Sequence, residues 1–214
     1  MIPALGHFAL ALALAIALAQ AVVGLFGPML RDRLVLRAAP ALAIGQFLML
    51  ASAFAALVWA GVVSDFTVRN VAEFSSSTTP LFYRITGTWG NHDGSMLLWC
   101  LILALCGATV GVFGNNIPSS LRSRVLGVLG LVSGGFLLFT IAVSDPFRRI
   151  WPPPLHGAGV NPILQDPGLA VHPPILYTGY VGFSIAFAFA VAALIEGRVD
   201  AAWGRWVRPW TLVS

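Results

Sequence analysis

Leu164 to Ile195 reads LQDPGLAVHPPILYTGYVGFSIAFAFAVAALI, an irregular polar segment that runs without a break into an apolar stretch beginning at Ile175. The apolar part is long enough to cross a hydrocarbon core about 30 Å thick as a helix, which takes about 20 residues. Four more runs have that character: Phe8 to Phe26, Ala41 to Val63, Met96 to Phe113 and Val125 to Val143. None of the five contains Arg, Asp or Glu, so no ionised side chain has to leave water and each backbone can satisfy itself as a helix. Composition agrees, with 58% of the 214 residues hydrophobic and only 9% charged, against about a quarter charged in an average soluble domain. The expected fold is an all-α polytopic membrane protein with five transmembrane helices plus the start of a sixth at Trp210 to Ser214.

A formal net charge of +4 does not mark a nucleic-acid binder, because the twelve basic residues are all arginine and lie in ones and twos among the connections. Topology accounts for them better, since cytoplasmic loops collect positive charge. Arg31, Arg33 and Arg37 follow the first run, Arg122 and Arg124 the third, and Arg198, Arg205 and Arg208 the fifth. The two long connections balance their arginines with Asp65, Glu73, Asp93, Asp145 and Asp166. The N-terminus and both long connections are therefore expected outside. The first run is read as a retained span and not as a cleaved signal, because its arginines come after it and none before.

This divides the chain into a transmembrane hairpin at 1–63, an outer loop at 64–95, a second hairpin at 96–143, an outer Pro-rich loop at 144–174, and the fifth span with the start of a sixth at 175–214. Cys100 and Cys106 have neither disulfide-framework nor metal-ligand spacing and read as small apolar fillers. Lysine is absent, which excludes Schiff-base chemistry within this sequence. Gly127, Gly130, Gly134 and Gly135 make the fourth run a close-packing helix.

Four histidines remain. His7 reads as an interfacial polar residue near a helix start, and His156 as a surface histidine with no local partner. His92, beside Asp93 in the turn before the third run, is expected to hydrogen-bond Asp93 or a neighbouring turn, with Asn91 as a cap or turn residue. Trp89 and Trp99 bracket that point as an interfacial aromatic anchor. His172 is different, since Asp166, Pro167 and Gly168 make a turn and Pro173 biases His172 toward an extended conformation. Pro173 and Pro174 then suit the first positions of the following helix. On residue type alone two readings stay open, a proline-locked helix start and an axial ligand to haem iron or another metal.

Several blocks resemble one known family. WGNHDGSMLLW at Trp89 to Trp99, SDPF at Ser144 to Phe147, the long block from Asn161 to Arg198, WGRWVRPWTLVS at Trp203 to Ser214 and the opening MIPALGHFAL are similar to CcmF, also called CycK, with NrfE as a close relative. The resemblance implies the haem lyase subunit of cytochrome c maturation in the bacterial inner membrane. Such a subunit takes haem from the chaperone CcmE and works with CcmH and CcmI. It directs thioether formation between haem vinyl groups and the Cys-x-x-Cys-His thiols of an apocytochrome c.

It also implies that two outer-facing histidines hold the incoming haem. His172, in the family's His-Pro-Pro motif, is one, and the other lies beyond this sequence, as do the histidines of a separate b-type haem. Proximity in sequence adds Asp166 as a partner orienting the loop or the imidazole, with Tyr177 and Trp89 as walls. The family pattern continues into a tryptophan-rich loop and many further spans. This sequence is thus expected to be an N-terminal portion, inactive alone. A small-molecule permease subunit and an assembly scaffold are the competing readings.

Overall fold

A computed structural model describes residues 1–30 and 33–213. Five long helices dominate: α1 (Ile2–Leu30), α2 (Arg33–Val62), α5 (His92–Phe113), α6 (Ser119–Ala142) and α7 (Pro167–Glu196). Each carries a stretch long and apolar enough to cross a membrane. Two short helices, α3 (Arg69–Phe74) and α4 (Leu81–Thr86), lie in the first long connection, and α8 (Ala201–Val213) follows α7. No strand occurs among the described residues, and an isolated antiparallel bridge, Val68 to Arg149, joins the two long connections.

The bundle is packed with small residues inside and large ones outside. α1 buries Gly6, Leu10, Ala13, Ala17, Gln20, Gly24 and Gly27, a stripe recurring every three or four residues, while Phe8, Leu18, Val22 and Phe26 are exposed. In water that arrangement would be costly, but a lipid chain is as apolar as leucine, so close packing decides which side faces in. The closest approach is between α1 and α6, where a Cβ on Gly127 would lie 2.7 Å from the Gly24 carbonyl carbon. Two buried glutamines fasten α6 to its neighbours: Gln20 Nε2 of α1 donates to the Leu126 carbonyl at 2.7 Å, and Gln46 Nε2 of α2 donates to Ser133 Oγ.

The start of α1 and both long connections gather at one end of the bundle, here called the loop end. His7 Nδ1 lies 3.4 Å from Asp145 Oδ1, and the first connection hydrogen-bonds the second at Arg69 N to Arg148 O (2.8 Å) and Ala158 N to Ala72 O (2.8 Å). The opposite, turn end carries the 3-10 turn Gly114–Asn116 and the α7–α8 corner, where Gly197 takes a left-handed φ of 69°. Arg31, used above for topology, and its neighbour Asp32 lie outside the described residues, as does Ser214. Trp210 to Val213 form the last turn of α8, which lies back on α7 with Trp210 stacked on Phe189 at 6.5 Å and Trp203 Nε1 donating to the Phe189 carbonyl at 3.3 Å.

The helices outrun the apolar runs. α2 starts at Arg33 instead of Ala41, α5 at His92 instead of Met96, α6 at Ser119 instead of Val125, and α7 at Pro167 instead of Ile175. Apolar length measures only what must sit in hydrocarbon, whereas a capped helix continues into the polar interface.

Candidate functional site

α7 corrects the most specific local expectation. Asp166 caps it, its Oδ1 accepting from the Leu169 amide at 2.9 Å, with Pro167 in the first turn. His172, Pro173 and Pro174 therefore lie inside the helix, and His172 is not extended. An internal proline normally leaves a carbonyl without its donor. Here the Ala170 carbonyl faces Pro173 and Pro174, neither of which has an N–H, and it accepts from Trp89 Nε1 at 2.9 Å. That cross-helix bond, made by a residue far away in sequence, satisfies the group the prolines leave open.

Helical register then decides which way each side chain faces. Ala170, Val181, Ile185 and Ala188 are buried on one side of α7, with half-buried Pro173 and Tyr177 on the same side. His172 falls on the other side with Ile175 and Phe183, which are 67% and 56% exposed. The ring of His172 is exposed, and nothing among the described residues hydrogen-bonds it. Asp166 is thus a helix cap that orders the loop and is not the partner of the imidazole.

Trp89 and Tyr177, expected as walls, are brought together on the inner side of α7. A cleft of about 280 Å³ at the loop end is lined by Trp89, His92, Ser95, Leu169, Ala170 and Pro173 among others. Trp89 stacks on Phe54 with centroids 6.0 Å apart and planes 21° off parallel. Tyr177 meets Ser95 Oγ through its hydroxyl at 2.5 Å and presents an edge to Trp99 at 5.2 Å. His172 does not line this cleft.

The other histidines each meet a side chain of the long connections. His92 Nδ1 lies 2.9 Å from Ser144 Oγ and 3.5 Å from Asp93 Oδ1, so the expected Asp93 partner is joined by a serine of the second connection. His156, which has no local partner in sequence, has the distant Ser77 Oγ 2.9 Å from its Nδ1. Asn91 was legible as a cap: its Oδ1 accepts from Gly94 N at 2.9 Å and from Asn70 Nδ2 at 2.8 Å. Gly94 must be glycine, since a Cβ there would lie 1.6 Å from the Thr88 carbonyl oxygen.

Arg84, counted above only as a loop charge, donates to three carbonyls, Thr79 (2.7 Å), Ser77 (3.0 Å) and Val62 (3.3 Å). Such a planar fork suits an irregular loop that has no ladder of its own. Arg69 pairs with Glu73 at 2.8 Å, and the hydrogen bond and charge of Glu73 hold its guanidinium above the ordinary arginine pKa. Cys100 and Cys106 are free and buried. Together these contacts make the loop end an ordered platform from which one imidazole projects without a partner.

The model of the Cytochrome C assembly protein family matches residues 89–214. Over the whole chain the sequence is 58% identical to the cytochrome c-type biogenesis protein CycK of Bradyrhizobium diazoefficiens. It is 53% identical to CcmF of Pseudomonas aeruginosa and 47% to CcmF of Escherichia coli. The chain spans about a third of the length of these relatives, covering 32%, 33% and 33% respectively. A solved structure, Cytochrome c Heme Lyase CcmF, superposes on all of the chain with a TM-score of 0.86 at 31% identity, the chain covering 33% of that structure.

Proposed function

The chain belongs to the cytochrome c assembly family, and from that premise we propose that it forms the haem-presenting N-terminal part of a haem lyase, with His172 as an axial ligand to the incoming haem. The observation that carries the reading is the contrast among the four histidines. His7, His92 and His156 each have a side-chain partner, whereas His172 is exposed without one, on a helix face that also offers Ile175 and Phe183. An exposed imidazole beside exposed apolar side chains suits a flat, apolar macrocycle with a metal at its centre. Haem is here the substrate, and Trp89, Tyr177 and Asp166 act behind the face by holding α7 in place.

The loop end lies on the outer face of the bacterial inner membrane in this reading. Among the described side chains, the arginines at the turn end (Arg37, Arg122, Arg124, Arg198, Arg205 and Arg208) outnumber the acids there, Glu196 and Asp200, in keeping with cytoplasmic loops being positive. Haem arrives from CcmE, with CcmH and CcmI presenting the Cys-x-x-Cys-His thiols of the apocytochrome. Each thioether forms by addition of S–H across a vinyl group, making one C–S and one C–H bond. What the protein supplies is position, which is where most of the rate gain in such a bimolecular step arises.

The test is His172→Ala in the full-length protein. Loss of haem captured from the chaperone, seen in the absorption spectrum, together with loss of c-type cytochrome and normal membrane insertion, is expected. An unchanged spectrum and full cytochrome yield would refute the assignment.

A further inference from the structure

The turn end holds a second chemically distinct place. A cavity of about 540 Å³ between the start of α2 and the start of α6 is lined by Leu36, Arg37, Pro40, Asn115, Ser119 and Arg122. Its described lining residues bring two guanidinium groups and no carboxylate. Arg122 is the informative member. One terminal nitrogen donates to Asn115 Oδ1 at 2.9 Å and the other to the Gly111 carbonyl, both neutral acceptors, and its Nε is buried with no hydrogen-bond partner.

The neighbouring Arg124, whose Nε likewise makes no hydrogen bond, lies 3.6 Å from Glu196, so among the described residues Arg124 has a carboxylate beside it and Arg122 has none. A half-buried charge bonded only to neutral acceptors favours an anion beside it. The topological preference for arginine on one side of a membrane explains a solvated arginine, not one folded back under α5 onto two neutral acceptors. The start of α6 adds to the imbalance, because Pro118 provides no side-chain cap for its amides.

Asn115 also lines a larger groove of about 730 Å³ between α5, α7 and α8, walled by Ile102, Leu105, Phe113, Ile185 and Trp210. It runs along two helices that are long and apolar enough to span a membrane. A cationic pocket at the end of an apolar groove on spanning helices suits an anionic lipid. We propose that the turn end binds one anionic phospholipid, its phosphate between Arg37 and Arg122 and an acyl chain in the groove between α5 and α7. The shared residue, Asn115, sits where headgroup and chain meet.

The full-length protein, purified in neutral detergent, is titrated with phosphatidylglycerol, with phosphatidylcholine and with inorganic phosphate, and adducts are read by native mass spectrometry. Phosphatidylglycerol is expected to stay bound at about tenfold lower concentration than phosphatidylcholine, a gap of about 1.4 kcal/mol. The double variant Arg37→Gln, Arg122→Gln should abolish that preference, while Arg205→Gln on the exposed face of α8 should leave it. Equal retention of the two lipids, or a preference that survives in the double variant, overturns the proposal. Displacement of phosphatidylglycerol by inorganic phosphate overturns the lipid occupant in favour of a soluble anion. Should the double variant fail to fold, exposed Arg37→Gln alone decides, with a severalfold loss of preference expected and no loss overturning it.

Discussion

The indole N–H of Trp89 donates at 2.9 Å to the carbonyl of Ala170, the group that Pro173 and Pro174 leave without a helical donor. The prolines of α7 and the tryptophan before α5 are therefore one structural unit. Replacing Trp89 by Phe keeps the stack on Phe54 and removes only the donor. The expected loss is about 1–2 kcal/mol, the cost of an unsatisfied buried carbonyl, read as a lower melting temperature in detergent. Adding Pro174→Ala restores a helical N–H to Ala170, so the double variant should lose less than the two single losses summed, by about 1 kcal/mol. Strict additivity would show that the bond is not what couples them.

His92 and His172 should separate in stability. His92→Ala removes the contact with Ser144 Oγ that ties the second connection to α5, and is expected to cost about 1 kcal/mol. His172→Ala touches no described partner and should stay within about 0.5 kcal/mol of the parent. Thermal unfolding of both variants, before any haem is added, checks this.

At Asp166 the question is charge against capping. Asp166→Asn keeps an oxygen for the Leu169 amide and should be nearly neutral, whereas Asp166→Ala should cost about 1 kcal/mol. If Asn were as damaging as Ala, a role for the negative charge would replace the capping role assigned here. Hydrogen exchange over residues 167–173 gives the local readout, with faster exchange expected in the Ala variant only.

The glycines of α6 should sort by what lies against them. A Cβ on Gly127 meets the Gly24 backbone at 2.7 Å, while nothing lies within 4 Å of one on Gly135. Gly127→Val is expected to push α1 away and lose about 2–3 kcal/mol. Gly135→Ala should be neutral or slightly stabilising through helix propensity. Comparable melting temperatures for the two variants would contradict the α1–α6 contact.

Apolar length, absence of charge from the runs and a one-sided arginine distribution determined by themselves that five helices cross a membrane, because transfer from water to hydrocarbon is a local cost that each segment meets alone. Asn91 as a cap and Gly127, Gly130 and Gly134 as packing positions were legible for the same reason, being short-range chemistry, whereas Gly135, read with them, faces open space. His172 could be singled out from its proline neighbours, but its conformation could not. Local sterics favour an extended residue before proline, and a helix prevails there because Asp166 caps it and Trp89 reaches the carbonyl the prolines leave open. That partner lies 81 residues away in sequence, a separation at which no local pattern speaks. The pairing of His156 with Ser77, the three-carbonyl grip of Arg84 and the bonding of Arg122 to two neutral acceptors belong to the same class. Only the tertiary structure decided them, since a hydrogen bond depends on which groups meet and not on which groups are near in the chain.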